Sequence, residues 1–250
     1  MQVDRTALVT GGGSGIGEAT CVRLASEGRA VAVLGREVDG IVSVARRIAE
    51  QGGRAMAVKA DVTKPEELAS ALAEIRGHFG PITILVNNAA IEDFTPFPQV
   101  EESLWDRVMA VNLRAVFQIT RAVLPDMLAA RWGRIINVTA LGAQSGAMNM
   151  TLYTASKGGV VAFGRSLAVE LGAKGITVNN VSPGFILTPM AQRAIDDNLF
   201  PIPHEQIVAG YPIPRIGRPE EVAAACAFFA GEEAGYITAQ TLGVNGGCFT

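Results

Sequence analysis

The sequence predicts an α/β fold, a doubly wound parallel sheet of seven strands flanked by helices in a single domain. Three observations carry this. Short runs rich in β-branched residues alternate with longer helical stretches to the end of the chain. The strand runs are apolar along their whole length, as expected of strands covered on both faces. No linker or repeat interrupts the alternation, and 250 residues fit one large domain.

The first strand, Thr6–Thr10, follows closely on Met1, so no charged-then-apolar signal segment is expected. It runs into Thr10-Gly11-Gly12-Gly13-Ser14-Gly15-Ile16-Gly17, and a helix, Ile16–Glu27, follows at once. Glycines allow a positive φ and the close approach of a pyrophosphate, while a helix N-terminus offers unpaired N–H groups. The strict G-x-G-x-x-G pattern fails at Ile16; what stands is G-x-x-x-G-x-G (Gly11, Gly15, Gly17). Placed after the first strand of a βαβ unit, this turn points to a Rossmann-like dinucleotide site. A P-loop would need a Lys-Ser/Thr pair that is absent.

A second strand, Ala30–Leu34, ends at Gly35-Arg36-Glu37 before a helix at Asp39–Gln51. The third, Arg54–Lys59, leads through Asp61 and Val62 to a helix at Pro65–His78, with proline in the first turn where it belongs. The fourth, Ile82–Val86, is followed by Asn87-Asn88-Ala89-Ala90 and a long helical stretch, Leu104–Arg131, in which Pro125 predicts a kink or break. The fifth, Gly133–Val138, precedes Thr139-Ala140 and a helix at Leu152–Ala173. The sixth, Ile176–Val181, opens onto an irregular region, Met190–Arg215, with Pro201, Pro203, Pro212 and Pro214. A stretch that long after a strand is expected to be a lid over a ligand. A helix at Pro219–Ala230 and a last strand, Gln240–Val244, complete the pattern.

Tyr153 and Lys157 lie four apart on a helical stretch and so share one face. A phenol is a poor acid–base group at neutral pH, and a neighbouring cation favours the phenolate and lowers its pKa. Ala155, Ser156, Gly158 and Gly159 surround the pair with small residues against which a cofactor can lie.

These features together, Thr10–Gly17, Asn87–Ala90, Asn112, Tyr153-x-x-x-Lys157, Pro183-Gly184 with Thr188, and a closing Gly246-Gly247, resemble the classical branch of the short-chain dehydrogenase/reductase family over nearly the whole chain. The resemblance implies hydride transfer between a nicotinamide and a carbonyl carbon, with Tyr153 exchanging the proton on oxygen. It implies that Lys157 assists Tyr153 and bonds the nicotinamide ribose, and that Asn112 supports a water leading to Lys157. Gly11, Ser14, Gly15, Ile16 and Gly17 would shape the pyrophosphate turn. Asp61, with Val62 beside it, would accept from the adenine amino group, and Asn87 and Ala89 would border the adenosine ribose. Pro183, Gly184, Ile186 and Thr188 would hold the nicotinamide side. From the residues alone, Asp61 could equally cap the helix at Pro65, and Thr188 could be a turn residue. A homotetramer is implied too.

An NAD enzyme of this type carries an acid at the end of the second strand. Here Gly35 stands in that place and Arg36 follows, which favours NADP(H) over NAD(H), since a guanidinium binds a 2′-phosphate bidentately. Glu37, one residue on, is the competing NAD signal.

The family has a Ser thirteen residues before the Tyr, and this chain has Ala140. Losing one such donor costs about 100- to 1000-fold in rate. Three readings stay open: an engineered replacement that traps substrate, substitution by Thr139 or Ser145, or a naturally weakened member. A dinucleotide-binding sensor or scaffold is the alternative function. The substrate pocket is expected from Ala140, Ala143, Gln144, Ala147, Met148, Met150, Phe185, Leu187, Met190 and the lid, with Arg193 or Arg215 as the candidate anion-binding groups. This mostly apolar set points to a small or medium ketone or secondary alcohol, cyclic or aromatic forms included.

The remaining composition excludes other classes. A net charge of −3 without a basic block disfavours nucleic acid and membrane surfaces, and no run is long enough for a membrane helix. Cys21, Cys226 and Cys248 share no metal-like spacing and fit a reducing, cytoplasmic setting. No G-x-S-x-G elbow accompanies His78 or His204, so a hydrolase is not expected, nor is a metal site.

Overall fold

Seven parallel strands in the order β3-β2-β1-β4-β5-β6-β7 form the centre of the molecule. The computed structural model describes residues 5–200 and 202–249, so Met1 and Pro201 lie outside the described residues. The strands are β1 (Thr6–Thr10), β2 (Ala30–Gly35), β3 (Arg54–Lys59), β4 (Ile82–Asn87), β5 (Gly133–Val138), β6 (Ile176–Pro183) and β7 (Thr241–Val244). The helices are α1 (Gly15–Ser26), α2 (Val38–Glu50), α3 (Pro65–Phe79), α4 (Glu102–Met109), α5 (Ala115–Ala130), α6 (Gly142–Ser145), α7 (Thr151–Leu171), α8 (Pro189–Asp196), α9 (His204–Ala209) and α10 (Pro219–Phe229).

Alternation along each strand feeds two cores. Ala7, Val9, Val31 and Val33 face a layer with Leu24, Ile41, Val44 and Phe229 of α1, α2 and α10. Leu8, Ala32, Leu34 and Leu85 face the opposite layer with Leu72, Ile75, Ile119 and Met127 of α3 and α5. Burial on both sides explains why these strands are apolar at every position. The edges depart from that expectation: β3 is only partly buried and Leu242 of β7 is 40% exposed, because an edge strand lacks a neighbour to cover it. Pro65 and Pro219 open α3 and α10 as expected.

Of the kink or break expected at Pro125, the break is not there. Helix α5 runs through the proline, while Arg76 of α3 ties down that turn by donating to the Ala122 carbonyl (2.8 Å) and pairing with Asp126 (2.9 Å). The interruption lies instead at Ala110–Arg114, a π turn between α4 and α5 that carries Asn112. Met190–Arg215 is also more ordered than an irregular loop, since α8 and α9 fall within or across it. Among the described residues no helix is long and apolar enough to cross a membrane.

Candidate active site

The strand order reverses between β1 and β4, which opens a crevice beyond their C-terminal ends. A cleft of about 740 Å³ lies there, running from the glycine turn and the end of β2 to α7, α8 and Tyr211. Gly11 (φ 64°) and Gly15 (φ 54°) hold left-handed conformations that side chains rarely adopt. Gly11, Gly13, Ser14, Gly15 and Ile16 line the cleft around the N-terminus of α1. Gly17 lies behind these residues and does not line the cleft. A Cβ on Gly17 would lie 2.1 Å from the Gly11 carbonyl oxygen, so this glycine lets α1 pack against its own turn. The result is a glycine-rich cradle at a positive helix end, which fits a pyrophosphate.

At one end of the cleft Arg36 and Glu37 both form the wall, opposite Asp61 and Val62. Burial raises the Asp61 carboxyl, but bonds from the Thr63 N–H (2.8 Å) and hydroxyl (2.7 Å), helped by the Arg36 and Lys64 charges, outweigh it and hold the group below the usual range. Asp61 therefore closes a local turn and is not the N-cap of α3, which is Lys64. Ala89 lines the cleft with Asn88 and Ala90. Asn87 does not. It is buried in the sheet, donating to Asn137 Oδ1 (2.9 Å), and Asn137 donates in turn to Asn180 (3.1 Å). These three asparagines sit opposite one another on β4, β5 and β6, so register places Asn87 in a polar ladder rather than beside a ribose.

At the other end Tyr153, Lys157 and Ala140 share the cleft with Pro183, Gly184, Ile186 and Thr188. The Thr188 hydroxyl accepts from Ala191 N–H (3.1 Å) and caps α8. Lys157 Nζ donates to the Val138 carbonyl (2.8 Å) and lies 5.7 Å from the centre of the Tyr153 ring. The expected lowering of the phenol is overturned in the protein alone. Burial, with the Glu92 charge adding to it, pushes Tyr153 up, and burial pushes Lys157 down to about 8. Desolvation of both groups outweighs an ammonium 5.7 Å away.

Neither substitute for the missing Ser is aimed at the cleft. The Thr139 hydroxyl is spent on the Val181 carbonyl (3.0 Å). Ser145 is exposed and bonds the Leu141 and Gly146 carbonyls. Asn112, fully buried, does not reach the cleft surface. Its Nδ2 bonds the Ile91 carbonyl (2.9 Å) and Ser156 Oγ (3.1 Å), and its Oδ1 accepts from Ile91 N–H (2.9 Å).

Of the expected pocket residues, Ala140, Ala147, Met150, Phe185, Met190 and Arg193 line the cleft. Gln144 and Met148 do not; both lie at or near the exposed α6 turn, with Met148 67% exposed. Ala143 and Leu187 are outside as well, and Arg215 is paired with Glu221. Glu92 and Phe94, which enter from the loop after β4, also line the cleft and were not among the expected residues. Their signal was position alone, directly beyond a strand at the reversal point. Phe94, Phe185 and Phe200 form an aromatic corner, with ring centres of Phe200 5.4 and 5.0 Å from the other two. Among the described residues no group of three His, Cys, Asp or Glu could hold a metal ion.

A family model described as enoyl-(acyl carrier protein) reductase matches residues 11–249. The acetoacetyl-CoA reductase of Allochromatium vinosum is 39% identical over 247 residues, covering 98% of each chain. The 3-oxoacyl-(acyl-carrier-protein) reductase FabG of Vibrio cholerae is 39% identical over 245 residues, 98% of this chain and 97% of that one. Among solved structures, a substituted actinorhodin polyketide ketoreductase with NADPH superposes with a TM-score of 0.94 at 36% identity, covering 99% of this chain and 98% of the other. Levodione reductase superposes with a TM-score of 0.93 at 33% identity, covering 98% and 97%.

Proposed function

Because the chain belongs to the classical short-chain dehydrogenase/reductase family, whose members are oxidoreductases acting on CH–OH groups, we propose that it interconverts an apolar ketone and a secondary alcohol, with NADP(H) as hydride carrier and Tyr153 as the group that exchanges the proton on oxygen. The observation that carries this is one cleft that holds both the glycine-rich cradle of α1 and the Tyr153–Lys157 pair. Gly11, Gly13, Ser14, Gly15 and Ile16 would receive the pyrophosphate, Arg36 a 2′-phosphate, and Pro183, Gly184, Ile186 and Thr188 the nicotinamide side.

Burial keeps the Tyr153 phenol protonated but makes it a weaker acid than a free phenol, so giving its proton to a ketone oxygen depends on the cation beside it. Lys157, fixed on the Val138 carbonyl, holds an ammonium beside the ring that stabilises the phenolate left behind. Ala140, Met150, Phe94, Phe185 and Phe200 exclude water and favour a small or medium apolar, cyclic or aromatic substrate. The same reading carries a homotetramer, supported by apolar side chains left exposed on α5 and α7 (Phe117, Leu128, Val169), and a cytoplasmic setting, supported by three free thiols. Met190–Arg215 acts as a lid, supported by Met190, Arg193, Ile207 and Tyr211 at the cleft wall.

NADPH and NADH oxidation against a panel of apolar ketones, with Ala140→Ser beside this chain at pH 8.5, tests the reading. Turnover by Ala140→Ser at least about 100-fold faster than this chain supports a weakened reductase. Nucleotide binding without turnover by either protein rejects it in favour of a dinucleotide-binding scaffold.

A further inference from the structure

The cleft contains one carboxyl group close to Tyr153, that of Glu92, and the reaction assigned above gives it no role. The loop that carries it is fixed on both sides. On one side Asn112 grips the N–H and carbonyl of Ile91, each at 2.9 Å. The same asparagine donates to Ser156 Oγ (3.1 Å), which donates to the carbonyl of Tyr153 itself (2.7 Å). A short chain of hydrogen bonds thus ties the peptide before Glu92 to the catalytic turn of α7. On the other side Asp93, buried and turned away from the cleft, accepts from the Thr95 N–H (3.2 Å) and hydroxyl (2.7 Å). Glu92 and Phe94, flanking Asp93, therefore face the cleft together.

We propose that Glu92, as a neutral carboxylic acid, donates to the substrate oxygen the hydrogen bond that Ala140 cannot make. The proposal rests on the ketone–alcohol reading of this site. Of the other polar groups at this end of the cleft, the Thr139 hydroxyl is committed to Val181, the Lys157 ammonium bonds Val138, Tyr153 supplies the exchanged proton and Arg193 acts on the Glu92 carboxyl by its charge, while Ser145 lies outside. Tyr211, across the cleft, is hydrogen-bonded with Cys248. Burial raises the Glu92 carboxyl to about 7, and only the opposing Arg193 charge from α8 pulls it down. The carboxyl can thus be neutral where an ordinary glutamate is ionised. No atom leaves Glu92: its O–H bonds the oxygen, and the proton the oxygen takes up comes from Tyr153. Once ionised, Glu92 loses its donor and opposes the negative charge developing on that oxygen. Ketone reduction should therefore fall as pH rises through neutrality.

The charged and titratable groups that act on Glu92 or are acted on by it are Arg193 of α8 and Tyr153 of α7; Lys157 and Tyr211 line the same cleft, and Asp93 is its neighbour in the chain. Of these, Lys157 also titrates nearby, at about 8. Glu92→Gln separates the two, because the amide keeps a donor that does not titrate, while Glu92→Leu removes the donor.

The experiment measures NADPH-dependent ketone reduction from pH 5.5 to 9 for this chain, Glu92→Gln, Glu92→Leu, Ala140→Ser and Ala140→Ser/Glu92→Leu. In this chain the rate should fall about tenfold per pH unit above neutrality. Glu92→Gln should keep the activity and lose that fall. Glu92→Leu should lose about 100-fold at pH 6. Against Ala140→Ser, this chain should lag by less than about tenfold at pH 6 and about 100-fold at pH 9, and adding Glu92→Leu to Ala140→Ser should cost less than about threefold. A second readout needs no turnover: calorimetric titration of ketone into the NADP⁺-loaded protein should show binding about tenfold weaker at pH 8.5 than at pH 6, and equal at the two values in Glu92→Gln. Glu92→Leu within threefold of this chain, or an unchanged pH fall in Glu92→Gln, overturns the role of Glu92 while Ala140→Ser still turns over. Absence of turnover in every protein overturns the ketone–alcohol reading and this role with it.

Discussion

Asn112 holds Ile91 by both polar groups of that residue's backbone, its Oδ1 accepting from the N–H and its Nδ2 donating to the carbonyl at 2.9 Å each. The π turn at Ala110–Arg114 carries the asparagine that makes this grip, and Ser156 takes a further bond from its amide. Asn112→Ala leaves Ile91 and Ser156 without these partners. The expected cost is about 1–3 kcal/mol in urea unfolding, with a loss of ketone reduction at saturating nucleotide because the Glu92 loop loses its anchor to α7. Full stability in Asn112→Ala would contradict the clamp.

Gly17→Ala places a methyl 2.1 Å from the Gly11 carbonyl oxygen as the backbone now stands, so the turn must move. A fall in stability of about 1–3 kcal/mol is expected, together with loss of nucleotide binding in calorimetry. Gly77 in α3 is the control, since a Cβ there meets nothing within 4 Å. Gly77→Ala should instead stabilise the protein by about 0.5–1 kcal/mol, as alanine replaces glycine inside a helix.

Arg36 and Glu37 are neighbours on the wall of the cleft, and the proposed function makes them competitors in the choice between NADP(H) and NAD(H). Arg36→Ala removes a charge-assisted contact to a 2′-phosphate, equivalent to roughly 10- to 100-fold in affinity. NADPH binding should weaken by that factor while NADH binding stays within about twofold. Equal weakening of both nucleotides would assign the preference to Glu37.

Lys157 is held by burial at about 8, below the ordinary 10.5. The unfolded chain therefore keeps a proton between pH 8 and 10.5 that the folded chain releases, and the stability contribution of this residue rises with pH across that window. Below pH 8 the folded protein carries the full penalty of a buried ammonium, on the order of 3 kcal/mol before the Val138 bond offsets part of it. Lys157→Met should lose activity, and at pH 7 it should be more stable than this chain without nucleotide. The difference should shrink toward pH 10 in chemical unfolding. A stability gap that widens with pH would mean the lysine is not desolvated.

Much of the fold was legible because the physics behind it is local. β1 is apolar at every position, Gly11–Gly17 follows it immediately, and Pro65 and Pro219 stand where helices can begin. The helix break was misplaced for a nonlocal reason. Proline is a strong local signal, but a guanidinium from α3 secures the Pro125 turn, and the π turn at Asn112 has no residue type that announces it.

The residues themselves determined the parallel α/β class, the glycine cradle, the Tyr153–Lys157 pair and the absence of a hydroxyl at position 140, since each depends on spacing along one element or on the absence of a side-chain atom. Packing between elements set everything that depends on which side chains face one another. It put Asn87 into a ladder with Asn137 and Asn180, took Gln144 and Met148 out of the cleft, and spent the Thr139 hydroxyl on Val181. It also brought the Glu92 loop to Tyr153, sixty-one positions along the chain, through bonds that run from Ile91 by way of Asn112 and Ser156 to the Tyr153 carbonyl. Burial, which no single residue specifies, then moved the carboxyl, the phenol and the ammonium away from their ordinary ranges.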